Sequence, residues 1–362
     1  MHSKLENDYM SNKLIKVGIS QGNINGIGYE LILKTFEDAR ITESCIPVIY
    51  GSSKVLAYHR KALELPPINI NTINHPDEAG ANRVNMINCI NEDIMVELSR
   101  STSEAEESAQ KSLEKAVEDL KSGFIDVLLT APSFQEQTQY IESQVEPEKK
   151  ALRMLVKDGL RIALATGKVP LSDVSSLLTV DLLTEKIKDL RDSLVQDFMI
   201  TTPRIAVLSL NPGMGVSNEM GTEEKEIIVP ALKAATDAGV FCFGPYAADE
   251  FFGSGEYVKF DGILAMYYDQ GLIPFRALTA GEGVCYTAGL PIVRTAPDQG
   301  VSYENAGKNI TSEASFRNAL YLAIDVFKNR VIDRKINANP LKKQYFERGS
   351  DNEKLDLTKD EG

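Results

Sequence analysis

The run Ile15-Lys16-Val17-Gly18-Ile19 leads directly into Ser20-Gln-Gly-Asn-Ile-Asn-Gly-Ile-Gly28-Tyr-Glu30. A β-branched run, a glycine-rich turn and a helix opening at about Glu30 make one strand–turn–helix unit. Glycines in such a turn let backbone approach a ligand and present N–H groups at a helix start, where anions bind. The spacing is not GxGxxG, so a tight turn with no ligand fits the residues equally well. The unit recurs along the chain. Further candidate strands are Pro47–Tyr50, Val127–Thr130, Arg161–Thr166, Arg204–Leu210, Val240–Phe243 and Gly262–Met266. Helical periodicities lie between them: Ser103–Leu120 with a capping box at Ser103 and Glu106, Val180–Phe198, Thr222–Ala238, and Ser312–Asn329 with the stripe Phe316, Leu320, Ile324, Phe327. Strands alternating with helices predict an α/β protein on a largely parallel sheet.

The chain has 362 residues, 43% hydrophobic and 25% charged, enough for a sizeable core and about two domains at ~150 residues each. Its net charge of −13 argues against sequence-blind nucleic-acid binding and against adhesion to an anionic membrane surface. A small basic pocket for a phosphate remains compatible with that balance. No apolar run approaches the ~20 residues that span a bilayer, and Met1 to Asn12 has no apolar secretory segment. Cys45, Cys89, Cys242 and Cys285 are far apart and read as reduced thiols of a cytoplasmic protein. The charged tail from Lys342, and 346–362 above all, reads as disordered.

Several polar or Gly/Pro-rich segments directly follow apolar runs: Thr130-Ala-Pro132 with Ser133 to Thr138, Ala165 to Leu171, Leu210 to Val216, Met266 to Gly271 with Arg276, and Gly289 to Gly300 running on to Gly307. Singly each is a turn; together they predict one crevice lined by strand ends. The only histidines are His2, His59 and His75, and of the cysteines only Cys285 falls near these loops. Asp269 and Asp298 are loop carboxylates with the chemistry to bind a cation, although scattered carboxylates usually cap or solvate.

Taken in order, these loops resemble 4-hydroxythreonine-4-phosphate dehydrogenase, the NAD-dependent family of pyridoxal phosphate biosynthesis. The resemblance runs from about Lys16 to Asn329. It is carried by Gly22-Asn-Ile-Asn-Gly-Ile-Gly28, Leu129-Thr-Ala-Pro132, Leu208-Ser-Leu-Asn-Pro212, Gly244-Pro245 with Ala248-Asp249, Asp269-Gln-Gly271 and Gly289-Leu-Pro-Ile-Val-Arg-Thr295. It implies a two-domain fold like isocitrate and isopropylmalate dehydrogenases, with a cleft between the domains. Residues 1–132 with about 287–345 would form the first domain, and 133–286 the second, carrying the dimer interface. The implied reaction oxidises a phosphorylated hydroxy acid with NAD while a divalent metal polarises the alcohol, and the β-keto acid then loses CO2.

The family holds its metal with three histidines, whose positions match Lys168, Gly213 and Tyr268. A lysine cationic at neutral pH, a glycine and a phenol of pKa ~10 do not replace imidazole. The Gly-His-Thr-Glu substrate motif reads Glu136-Gln-Thr-Gln139, and the segment before it is shortened. The family's lysine is Arg276, its asparagine Cys285, and its Asp-His-Gly-Thr is Asp298-Gln-Gly-Val301, whereas Arg294 is kept. The resemblance therefore assigns substrate contacts to Gln137, Thr138, Arg276, Cys285 and Arg294. Any remaining chemistry falls to Lys168, Tyr268 and Asp269, since a Lys–Tyr pair is the acid/base of other dehydrogenases. NAD, bound more weakly, is assigned to Gln299, Gly300, Glu304, Asn305 and Gly307, with no divalent metal. The leading expectation is a family member whose ordinary activity is lost or much reduced, working as a homodimer. The alternatives are a metal-independent oxidoreductase of altered substrate and a non-catalytic subunit paired with an intact paralogue.

Overall fold

The computed structural model describes residues 14–339 apart from 92, 134–136, 146–149 and 216–219. The tail read as disordered therefore lies outside the described residues. The strands are β1 (Ile15–Ser20), β2 (Cys45–Gly51), β3 (Ile70–Ile73), β4 (Val84–Asn88), β5 (Val127–Thr130), β6 (Leu152–Lys157), β7 (Leu160–Leu164), β8 (Ile205–Leu208), β9 (Cys242–Tyr246), β10 (Gly262–Ala265), β11 (Val284–Ala288) and β12 (Arg294–Pro297). They form one twelve-stranded sheet in the order β3-β4-β2-β1-β5-β12-β11-β6-β7-β10-β8-β9. The main helices are α1 (Gly28–Thr35), α2 (Ser53–Ala62), α3 (Ser103–Lys121), α4 (Gln137–Val145), α5 (Val180–Gln196), α6 (Val229–Asp237), α7 (Tyr268–Thr279) and α8 (Ala314–Ala338).

The α/β class stands and the sheet is largely parallel, in eight of its eleven strand pairings among the described residues, but an antiparallel insert sits at its centre. Strands β3 to β12 in sheet order are mutually parallel, and so are β7, β10, β8 and β9. Between these blocks, β11 runs antiparallel to both β12 and β6, and β6 runs antiparallel to β7. The physical reason is the tight β6–β7 connection through Asp158 and Gly159. So short a link permits only an antiparallel pair.

Two further expectations need adjusting. The cap of α3 is Thr102, whose hydroxyl accepts from Ala105 N; Ser103 is already helical. The last helix is longer than the stripe suggested, running to Ala338, with Phe316, Leu320 and Ile324 buried against the sheet. Each such side chain contributes roughly 1.5–3 kcal/mol of burial. Arg330 of α8 then reaches inward to Asp197 at 2.7 Å and to Tyr286 OH at 2.9 Å, tying this helix to the end of α5 and to β11. No helix among the described residues is long and apolar enough to cross a membrane.

Candidate functional site

The pleat of the three central strands makes the floor of a crevice. Alternation puts Tyr286 and Thr295 on the face under α8, where Tyr286 donates to Asp197 and Thr295 to Ala319 O. Arg294 and Ala296 of β12, Cys285 and Thr287 of β11, and Arg153 of β6 therefore point to the opposite face. They line a crevice of about 200 Å³. Its walls come from Pro132 at the end of β5, Gln137 and Thr138 at the start of α4, Lys168, Tyr268 and Arg276 of α7, and the segment Pro297–Gly300.

The crevice is cationic although the chain as a whole is acidic. Arg153, Lys168, Arg276 and Arg294 stand against one carboxylate, Asp298. That carboxylate is engaged: Arg276 donates to its two oxygens at 2.9 and 3.1 Å and to its backbone carbonyl at 2.8 Å. Hydrogen bonding to Asp298 holds the Arg276 guanidinium above its ordinary pKa. Arg294 differs. It is 6% exposed and donates to Thr130 Oγ1 at 2.7 Å, Gln137 Oε1 at 3.0 Å, Thr287 Oγ1 at 3.2 Å and Thr138 Oγ1 at 3.4 Å. All four acceptors are neutral, its Nε has no partner among the described residues, and burial pushes its pKa down. A buried cation whose hydrogen-bond acceptors are all neutral is ready to take an anion. Burial pushes the Cys285 thiol up, which keeps it neutral and removes it as a nucleophile.

The structure thus gathers Gln137, Thr138, Lys168, Tyr268, Arg276, Cys285, Arg294, Gln299 and Gly300 into one crevice. Asp269 is exposed in the first turn of α7 and does not line it. Gly213 lies on an exposed turn, also outside the lining. That turn is pinned by Glu224, whose carboxylate accepts from Leu210 N at 2.9 Å and Asn211 N at 2.7 Å. Glu224 opens a single π-helical turn, a local widening common beside functional sites. Glu136 lies outside the described residues. Among the described residues no three His, Cys, Asp or Glu side chains converge. Arg153 was not picked out from the sequence; the only signal was an arginine interrupting the apolar run Leu152–Val156.

Residues Glu304, Asn305 and Gly307 follow on the next turn, whose neighbour is the glycine-rich stretch after β1. Ile27 N donates to Val301 O at 3.1 Å, and Asn23 Nδ2 to Tyr303 OH at 3.1 Å. The stretch is a packed knot rather than an open anion cradle. Asn23 N is spent on Pro132 O and Asn25 N on Asn23 Oδ1. Gly22 has φ +74°, and a Cβ there would stand 2.5 Å from Pro132 O, so only glycine fits.

The family model described as "Pyridoxal phosphate biosynthetic protein PdxA" matches residues 43–323. 4-Hydroxythreonine-4-phosphate dehydrogenase of Bacteroides thetaiotaomicron is 49% identical, with 96% of this chain and 98% of that protein covered. The protein of the same name from Prosthecochloris aestuarii is 37% identical over 86% of this chain and 97% of its own. The crystal structure of 4-hydroxythreonine-4-phosphate dehydrogenase from Klebsiella pneumoniae matches with a TM-score of 0.73 at 25% identity, covering 87% of this chain and 98% of that one. The α/β fold is common to both. With the family model spanning most of the sequence and a relative nearly half identical across almost all of it, the chain belongs to the PdxA family.

Proposed function

We propose that this chain keeps the scaffold of a PdxA-family dehydrogenase and a crevice for a small phosphorylated anion, and that the metal-dependent reaction of the family is lost or much reduced. The observation that carries this reading is the chemistry at Lys168, Gly213 and Tyr268. An ammonium has no lone pair, glycine offers no side chain, and a protonated phenol is a poor donor to a divalent cation. Asp298 does not compensate, being held by Arg276, and Asp269 lies away from the crevice lining. Those residues do not fit a divalent metal.

Binding is better supported than turnover. Arg294, buried among neutral acceptors, suits a phosphate or carboxylate. NAD belongs to the same reading, held by Gln299, Gly300, Glu304, Asn305 and Gly307; it accepts hydride in the family's reaction. Gln299 Oε1, buried and without a partner among the described residues, supports a ligand there. The four free cysteines agree with a cytoplasmic setting. A second reading, metal-independent oxidation assisted by Lys168 and Tyr268, is favoured by both lining the same crevice.

The test combines a thermal-shift titration with an assay of NAD reduction on 4-phosphohydroxythreonine, each with and without Zn2+, Mg2+ or Mn2+. A ligand at about 100 times its Kd adds about 2.7 kcal/mol, a shift of several degrees. Inorganic phosphate and NAD are expected to raise Tm, metals alone to leave it unchanged, and turnover to be absent or independent of metal. Metal-stimulated NAD reduction would overturn the reading. Turnover without metal that Lys168→Ala abolishes would favour the second.

A further inference from the structure

We propose that Arg153 is a specificity-determining residue of this crevice, a guanidinium that supplies beside Tyr268 the positive charge a divalent metal would otherwise bring. The inference rests on the crevice being an anion site, as proposed above. Arg153 is set in place by β6, whose alternation buries Leu152, Met154 and Val156 in the core and turns Arg153 to the crevice. In register it faces Thr287 of β11. Its Nη2 lies 3.4 Å from Cys285 Sγ, and its Cζ stands 5.4 Å from the centre of the Tyr268 ring.

A neutral thiol and a ring face orient the guanidinium without neutralising it. No carboxylate pairs with it among the described residues, whereas Arg276 has Asp298. A metal ion at Tyr268 would meet two cations, Arg153 and Lys168, so the same arrangement that attracts an anion repels a divalent cation.

Arg153 and Arg294 reach the crevice from the two strands flanking β11. Their guanidiniums contact Cys285 and Thr287 respectively, two residues apart on one strand. The register sets both arginines opposite Thr287, so their backbones stand about 10 Å apart across β11. Two guanidiniums reaching one crevice from its two sides, neither paired with a carboxylate among the described residues, suit a short acid bearing two anionic groups. Arg294 is the deeper and suits the phosphate through its open Nε–H, while Arg153 suits the carboxylate with the fork geometry that takes an anion bidentately.

The experiment is isothermal titration in EDTA with two probes, inorganic phosphate and 3-phosphoglycerate, on the wild-type chain and on Arg153→Met, Arg153→Lys and Arg294→Met. The expected result has four parts. Wild type binds both probes without metal. Arg153→Met weakens 3-phosphoglycerate at least tenfold and phosphate less than threefold. Arg153→Lys recovers part of the loss, and Arg294→Met loses both probes. An Arg153→Met variant matching wild type on both probes overturns the role of Arg153 and leaves the anion crevice standing. So does a variant that loses the two probes equally, or 3-phosphoglycerate binding that needs added Mg2+ or Zn2+. A wild-type chain that binds neither probe overturns the crevice reading itself, and this inference with it.

Discussion

His59 is 1% exposed, flanked by Tyr29 and Tyr58, and its Nε2–H donates to Ile24 O at 2.7 Å inside the glycine-rich stretch. Burial pushes its pKa down to about 4, whereas a free imidazole titrates near 6.5. Between those values the unfolded chain takes up a proton that the fold excludes. The contribution is complete above pH 6.5 and is lost as pH falls towards 4, on the order of 3 kcal/mol in all. Urea midpoints measured from pH 7 to 4 are therefore expected to fall more steeply for wild type than for His59→Gln, which keeps a donor without the titration. Equal slopes would show that His59 does not set the acid limit. The same contrast between a residue's type and its surroundings governs the crevice. Arg294 was legible from its Gly-Leu-Pro-Ile-Val-Arg-Thr setting, while Arg153 was not, because its meaning depends on a strand that local pattern did not reveal. Asp298 was legible only as a loose carboxylate; its pairing with Arg276, 22 residues away, is a property of the fold.

Helix α3 shows how a neighbouring residue can take a role assigned by pattern. Thr102 Oγ1 accepts from Ala105 N at 3.3 Å and also from Asn25 Nδ2 at 3.1 Å. Asn25 in turn accepts from Glu97 N at 2.8 Å, so the cap fastens the glycine-rich stretch as well as the helix. Thr102→Ala is expected to cost about 1–2 kcal/mol in urea denaturation, whereas Ser103→Ala stays within about 0.5 kcal/mol. The reverse order would restore Ser103 as the cap. The outer strands β1, β2, β5, β7, β8 and β10 were legible as β-branched runs, with ends shifted by a few residues. Strand β3 at the sheet edge, its neighbour β4, and the central β6, β11 and β12 were not. Arg294–Pro297 is four residues with a proline, Val284–Ala288 has a single β-branched aliphatic, and Leu152–Lys157 carries two cations. These three central strands are held by partners on both sides, and such pairing leaves little trace in local composition.

For the molecule as a whole, the exposed large apolar side chains fall mostly within 133–286, among them Leu171 and Val258 at 73%, Ile273 at 66% and Phe241 at 56%. These are the side chains that would be covered if two copies pair through that stretch, as the resemblance implies. Light scattering after gel filtration is expected to give twice the 39.9 kDa of one chain, and Phe241→Glu with Val258→Glu to shift it towards the single mass. A wild-type monomer would remove the proposal, and a stable complex with an intact paralogue would redirect it. The sheet order has one more consequence, for how the chain comes to be folded as it is made. Thr130 and Arg294 meet across 164 residues, and synthesis at about 5–20 residues per second separates them by roughly ten to thirty seconds. Throughout that interval β5 and β6 are open edges awaiting β12 and β11. Such edges are sites of wrong pairing with other chains. The last strands to leave the ribosome are thus both the floor of the binding crevice and the seal that protects the growing sheet from aggregation.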